Sequence, residues 1–455
     1  MDYCRSCFLL LSLAFSNVAG SAGRYTSQQA LYIDPQALHG LSQLHLDWHC
    51  AVGCGFSGFL VEFLGLARAL DIALPGRLAL HSGHCDERFI GDGGLLFAAE
   101  RDVVRRAQAR AKTAPQPGAS FRVSVIHGRC NKQHIDRLRR EHGDVSRGHF
   151  VVARVMTESN LPPAAGLVAC ARAADEVWVP THWHAEQFIR SGFEPDRVAV
   201  IGEAVDGSLF AQDRSLVARA DRPFTFLSTF KWEHRKGWDV LLRAYWLAFN
   251  TTARGTPRPR VRLLLRAWKP SWEPGHADLA REIDAIAQRE NSLAADQLPV
   301  VEWLGDDSSG PEKLSREQMR AVLGAADAFV LATRGEGWGL PAAEAMTMGV
   351  PTIVTNFSGP TAYAFSGRNA NALLIPVQHI DRKDGLAEPS VRALSQLMRR
   401  CVDDRAATTA MATRARRYML AHWSPGVVAG DVLKRIRHIA LRHRPELVLN
   451  NTCRE

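Results

Sequence analysis

The stretch that most constrains this chain is Leu331–Tyr363, LATRGEGWGLPAAEAMTMGVPTIVTNFSGPTAY. It reads as a buried strand over Ala328–Ala332, a glycine-rich loop, a short helix and a second buried strand over Thr352–Thr355. Gly335, Gly337 and Gly339 let the loop bend sharply and approach a ligand with its backbone. Pro341 suits a first helical position, Gly349 the left-handed position past the helix end, and Pro351 blocks re-entry. Two carboxylates fall in this unit, Glu336 in the loop and Glu344 in the expected first helical turn. The amides at such a helix start carry partial positive charge and suit a phosphate. An acid on either side of that anion suits a phosphorylated ligand with hydroxyls at both ends. The alternative is an ordinary strand-loop-helix in which Glu344 only complements the helix dipole.

The Glu-x7-Glu spacing and its setting, EGWGLPAAEAMTMGVPTIVT, resemble the donor-sugar motif of GT-B glycosyltransferases of family four (glycosyl transferases group 1). The following NFSGPTAY resembles that family's next loop. The resemblance implies that Glu336 contacts the sugar and Glu344 the ribose hydroxyls, with Gly337, Trp338, Gly339 and Leu340 beside the donor.

At 455 residues, two or three domains are expected. Apolar and charged fractions of 46% and 23% are those of a soluble globular protein. The net charge of +9, from 56 basic and 47 acidic residues, is a mild excess that fits an anionic ligand or a solvated arginine-rich surface. No zinc-finger, RRM or basic-zipper pattern points to nucleic acid. The start, MDYCRSCFLLLSLAFSNVAGSAG, has the shape of a signal peptide, with an apolar run too short for a membrane span. It implies a secretory lumen (ER or Golgi) or secretion; without it the expectation is cytoplasmic. Cys50 and Cys54 lack a second pair to complete a zinc pattern. The cysteines read as isolated buried thiols, with one or two disulfides as the luminal alternative. Asn250, Asn356 and Asn450 open glycosylation sequons, and Asn356 falls in the expected donor loop.

Along the chain, Leu44–Ala51 reads as a first strand, followed by GCGFSG (53–58) and an amphipathic helix over Phe59–Leu70. Strand, glycine loop and helix open a doubly wound α/β domain. The loop is not GxGxxG with its downstream acid, which argues against a nicotinamide cofactor. By resemblance Gly55, Ser57 and Gly58 face the donor phosphates. Arg122–Ile126 is a clear strand with His127 at its end, a position facing the crevice in such sheets, although a lone histidine is more often structural. His149–Thr157 is another strand, ending at Glu158. DEVWVPT (175–181) resembles the last strand of the family's N-terminal lobe. Many family members carry His where this chain has Met156, so Glu158 becomes the acceptor-side candidate, against a helix-capping role.

The polar run Ala211–Pro223 is the expected linker. A second α/β unit starts with a strand at Phe224–Phe230, and KWEHRKG leads into a helix at Trp238–Phe249. The family usually places Arg, then Lys five residues on, against the diphosphate. Here Lys231 and Lys236 hold that spacing, with Arg235 to compensate for the lost guanidinium fork. The alternative is a solvated basic turn. Helices at Val391–Val402, Ala406–His422 and Val427–His443 close the chain. Their arginines suit a solvated face, with peripheral membrane contact as the alternative.

The expected architecture is α/β, of GT-B type: two Rossmann-like doubly wound lobes facing across a cleft. The boundaries are a targeting segment (1–23), an acceptor lobe (24–215), a donor-binding lobe with closing helices (216–445) and a tail (446–455). The resemblance implies metal-independent, configuration-retaining transfer of a hexose from a nucleoside diphosphate sugar. The acceptor is a hydroxyl on a glycan, glycolipid or glycoprotein. No bound cofactor, metal or obligate protein partner is expected. The alternatives are a catalytically silent nucleotide-sugar-binding protein, favoured by Met156 and Lys231, and a GT-B sugar-nucleotide epimerase.

Overall fold

The structure is a computed structural model. It describes residues 26–50, 58–82, 96–113, 121–128, 130–210, 222–250, 260–270, 279–290, 298–304 and 314–446. The signal-like start, Gly55, Ser57 and most of the expected linker lie outside them.

After a short helix α1 (Ser27–Leu31), the first lobe alternates strand and helix. Its elements are β1 (Leu44–Cys50), α2 (Gly58–Ala73), β2 (Leu78–Ser82), α3 (Ala98–Ala111), β3 (Phe121–His127), α4 (Lys132–His142), β4 (His149–Arg154), α5 (Ala165–Ala173), β5 (Glu176–Val179), α6 (His182–Arg190) and β6 (Val198–Val200). The strands form one parallel sheet in the order β2-β1-β3-β4-β5-β6. The last strand of this lobe is therefore Val198–Val200 at the edge, one strand beyond DEVWVPT. Its core alternates along β1: Leu44, Leu46 and Trp48 pack with Leu78, Leu80, Val123 and Val125 against Phe63 and Leu64 of α2. The opposite face of β1 carries His45, Asp47 and His49, all buried. Parallel strands covered on both faces ordinarily read as continuous apolar runs, so this polar face is unusual.

The second lobe repeats the plan. It contains β7 (Phe224–Lys231), α7 (Trp238–Phe249), β8 (Val261–Trp268), α8 (Leu279–Glu290), β9 (Val300–Trp303), α9 (Arg316–Ala325), β10 (Ala328–Leu331), α10 (Leu340–Thr347) and β11 (Thr352–Thr355). Two small antiparallel ribbons flank the next core strand: β12 (Phe365–Ser366) with β13 (Asn369–Ala370), then β14 (Leu373–Ile375), then β15 (Val377–Ile380) with β16 (Ala387–Pro389). The parallel sheet runs β14-β11-β10-β7-β8-β9. Here β7 sends phenylalanines to one face and Leu227, between buried Thr225 and Thr229, to the other. Phe224, Phe226 and Phe230 enter one core, and Leu227 packs into the other.

Three helices close the chain: α11 (Val391–Asp403), α12 (Arg405–His422) and α13 (Pro425–His443). The last differs from the expected lobe boundary. Val428, Val432, Leu433 and Ile436 of α13 join the core of the first lobe, so the chain crosses back after α12. No helix among the described residues is long and apolar enough to cross a membrane. The isolated-thiol expectation is also corrected in part. Cys130 and Cys170 form a disulfide, whereas Cys50 and Cys401 are free and buried.

Candidate active site

In the second sheet the strand order reverses between β7 and β10, which leaves a crevice at their carboxyl ends, the usual ligand position in an open α/β sheet. Lys231 ends β7 at this edge. A single 3₁₀ turn, His234–Lys236, follows, and then Gly237 at φ 65°. A Cβ on Gly237 would stand 1.9 Å from the Ala332 carbonyl oxygen, so the close crossing of the two loops requires glycine. The turn thus lies against the glycine loop after β10.

There the two loops meet through charge. Lys236 Nζ donates to both Glu336 oxygens, at 2.7 and 2.9 Å. Arg235 donates to the Gly335 carbonyl at 2.6 Å and lies 3.5 Å from Glu336. Its other nitrogen pairs with Glu158 at 3.0 Å. Burial alone would raise the Glu336 pKa, but Lys236 and Arg235 outweigh it and hold the carboxyl below its ordinary value, ionised. With its guanidinium committed to the loop and to Glu158, Arg235 works as a clamp.

The glycine loop is fixed from beneath. The Glu336 amide donates to Ser358 Oγ at 2.9 Å, and Ser358 is the only non-glycine residue at positive φ (55°) among the described residues. The Tyr363 hydroxyl lies 3.1 and 3.0 Å from the Trp338 and Gly339 carbonyls. Arg334 donates to Asp239, Glu388 and the His234 carbonyl, at 2.7–2.8 Å, tying both loops together. The Trp338 ring turns into the core against Tyr363 and Trp423, so only its backbone remains for a ligand.

Glu344 is displaced from its expected place. It is the fifth residue of α10, one turn in from the Gly339 cap, with Leu340 as the first. It is buried and lies 3.5 Å from Arg316 of α9, whose Nε is 2.9 Å from Glu100 of α3. Two carboxyls from different lobes thus share one guanidinium. Burial, opposed by Arg316 and aided by Glu100, pushes the Glu344 carboxyl up to about 7. The sequence reading missed Arg316 and Glu100, which sit outside every motif.

From the first lobe, Met156 and Glu158 reach the glycine loop: a Cβ on Gly337 would stand 2.2 Å from the Met156 sulfur, and one on Gly335 would stand 1.8 Å from the Glu158 carbonyl. Asn160 N–H donates to the Gly385 carbonyl at 2.8 Å. The stretch Met156–Asn160 therefore seats directly on the glycine loop and on the Gly385 turn, with the Met156 thioether against Gly337. The Glu158 side chain is half exposed beside Arg235. His127 is not brought into this group. It is fully buried, accepting from Trp48 Nε1 at 3.0 Å and sitting 2.7 Å from Glu62, which is 2.6 Å from Arg154. Its end-of-strand position suggested a crevice, but the ring turns into a buried polar chain. Gly58 begins α2. Glu203, also missed, is buried, and burial and then Glu62 keep its carboxyl well above the ordinary range. No cluster of three or more His, Cys, Asp or Glu suited to a metal ion occurs among the described residues.

Comparison with known proteins adds the following. Residues 222–396 match the family described as Glycosyl transferases group 1. The fold is similar to HepE of Anabaena in complex with UDP (TM-score 0.60, 14% identity, 87% of this chain and 100% of that one). It is also similar to sucrose-phosphate synthase of Thermosynechococcus elongatus (0.57, 16%, 88% and 100%) and to a glycosyltransferase of Rickettsia africae (0.58, 12%, 87% and 98%). At these identities the likeness establishes the fold. No curated protein matches the sequence.

Proposed function

We propose that this chain, a GT-B protein whose residues 222–396 belong to the glycosyl transferases group 1, moves a sugar from a nucleoside diphosphate sugar onto an acceptor hydroxyl. The observation that carries the reading is the Lys236–Glu336 pair at the β7/β10 crevice. Breaking a glycosidic bond to a diphosphate builds negative charge on the leaving group. Lys236, Lys231 and the amides at the start of α10 stand at the edge where that charge would develop. Glu336 would then orient the sugar, and Glu344 would accept from the ribose hydroxyls. The proposed chemistry retains configuration and draws its charge stabilisation from these groups. It predicts turnover unaffected by EDTA and a product of the donor's own anomeric form, read by NMR. HepE, of the same fold, binds UDP, which makes UDP and UDP-sugars the first donors to test. The test is a thermal-shift screen of nucleoside diphosphates, then donor consumption with and without glycan, glycolipid and glycoprotein acceptors. Consumption without acceptor would select the epimerase, and binding without turnover the silent protein.

Glu344 gives this reading a pH signature. A ribose hydroxyl donates best to an ionised carboxylate, and this carboxyl takes up its proton near pH 7. Nucleotide affinity should therefore rise from pH 6 to pH 8, with proton release on binding. Calorimetry of UDP in buffers of different ionisation enthalpy measures both. Affinity flat across that range would remove Glu344 from the ribose contact.

We propose that the protein enters the secretory pathway, to its lumen or to secretion, rather than staying in the cytoplasm. The support is the Cys130–Cys170 disulfide, which persists in oxidising compartments and is rare in the cytosol. Protein from its native source, alkylated before and after reduction, should show these two cysteines protected until reductant is added. Free thiols at both positions would contradict the placement.

A further inference from the structure

A second cavity, of about 320 Å³, opens in the first lobe. It lies at the carboxyl ends of β1, β2 and β3, lined there by His49, Cys50, His81, Ser82 and Ile126, and is walled by α4. The strand order reverses between β1 and β3, so this is the first sheet's own crevice position. It is separate from the Lys236–Glu336 pair and shares no residue with it.

Two of its ring nitrogens are buried without a hydrogen-bond partner. His49 is 6% exposed, and its Nε2 has no hydrogen-bond partner. His134 Nε2 is likewise buried and unpaired. The tautomer of His134 follows from its neighbour: Arg137 Nη2 lies 3.5 Å from His134 Nδ1. A guanidinium only donates, so Nδ1 accepts, and the imidazole proton sits on the unpaired Nε2. Burying a donor without an acceptor is costly, and the cost is relieved when an acceptor arrives.

Asp47, on the same face of β1, is held by His81 at 2.7 Å and lies 3.2 Å from Arg122, although its Oδ2 makes no hydrogen bond. His81 in turn stacks on His49, ring centroids 4.3 Å apart, and His134 meets the same ring edge-on at 5.0 Å. Glu141 stands at the rim, half exposed and 3.9 Å from Arg137. The walls therefore offer imidazole and guanidinium donors to a guest rich in acceptors.

We propose that this cavity binds an anionic oxygen group, a carboxylate or a phosphate. One oxygen would accept from His134 Nε2–H, a second from Arg137, with His49 closing the inner end.

Calorimetric titration of the full-length chain with glucuronate, inorganic phosphate and glucose tests this. At least one of the two acids should bind, and which one identifies the group; glucose should not. Arg137→Met and His134→Phe lie on the outer helix and spare the core. Each should weaken the acid about tenfold or more, the loss of a charge-assisted hydrogen bond. Lys236→Ala should leave that binding unchanged, which separates this cavity from the donor crevice. Glucose binding as tightly as glucuronate, no binding of either acid, or acid binding indifferent to both cavity substitutions would overturn the proposal. The screened nucleoside diphosphates, titrated into the same samples, keep the two ideas apart. A nucleoside diphosphate from the screen bound without either acid refutes the cavity and spares the donor reading; acid bound with none of the screened nucleoside diphosphates does the reverse.

Discussion

Replacing Glu336 with alanine should lower sugar transfer at least about a hundredfold, the usual cost of removing one preorganised electrostatic group, while the protein stays folded. The argument starts from how the carboxylate is held. Lys236 grips both of its oxygens, Arg235 stands beside them, and its own amide is anchored to Ser358. The carboxyl is thus ionised and fixed before any substrate arrives. The loop itself does not depend on it. Arg334 ties the loop to Asp239, Glu388 and the His234 carbonyl, and Tyr363 supports the Trp338 and Gly339 carbonyls, so the backbone should persist. Lys236→Ala should cost a similar factor, and the double variant little more than either single one. Each member positions the other, and groups that act as a unit are not additive. Donor consumption with circular dichroism as the fold control measures all three. Turnover within tenfold of wild type in Glu336→Ala would take the residue out of the reaction.

The donor half of this site was legible in the sequence because its constraints are local. Gly237 is fixed by a backbone crossing within the second lobe, and a glycine-rich loop between two β-branched strands announces itself. The helix Trp238–Phe249 and the strand Thr352–Thr355 fall where their patterns put them. What could not be read is whatever depends on a partner far along the chain. Arg316 reaches Glu100 and Glu344, and no spacing connects the three. Arg235 pairs with Glu158 from the other lobe, and nothing in KWEHRKG shows that partner arriving. The return of α13 to the first core has the same cause. Its apolar stripe specifies that something is covered, not what. His127, for which a structural role was the commoner expectation, shows a related limit. Strand position gives the face a residue lies on but not whether a buried acid waits there.

That buried acid carries the other large effect. Arg154→Ala should destabilise the first lobe by about 3–5 kcal/mol, since it strands a carboxylate in the interior. Glu62 is 1% exposed, and burial would push its pKa up, yet Arg154 and then His127 hold it at about 2. Arg154 also donates to the Ile201 and Gly202 carbonyls, where the chain leaves the first sheet for the second lobe. Its loss should therefore loosen the approach of Met156–Asn160 to the donor loop as well as the core. Urea denaturation measures the first effect, and the Michaelis constant for donor the second. Glu62→Leu with Arg154→Met should recover much of the lost stability, because removing both charges leaves neither stranded. His127→Gln separates structure from chemistry. A buried chain member loses stability on this change while turnover per folded molecule holds, whereas a catalytic imidazole loses turnover at unchanged stability. The 2.7 Å contact to Glu62 and the Trp48 bond predict the first outcome. If Arg154→Ala unfolds within about 1 kcal/mol of wild type, a tenfold change in the unfolding equilibrium at most, the buried carboxylate does not depend on that guanidinium.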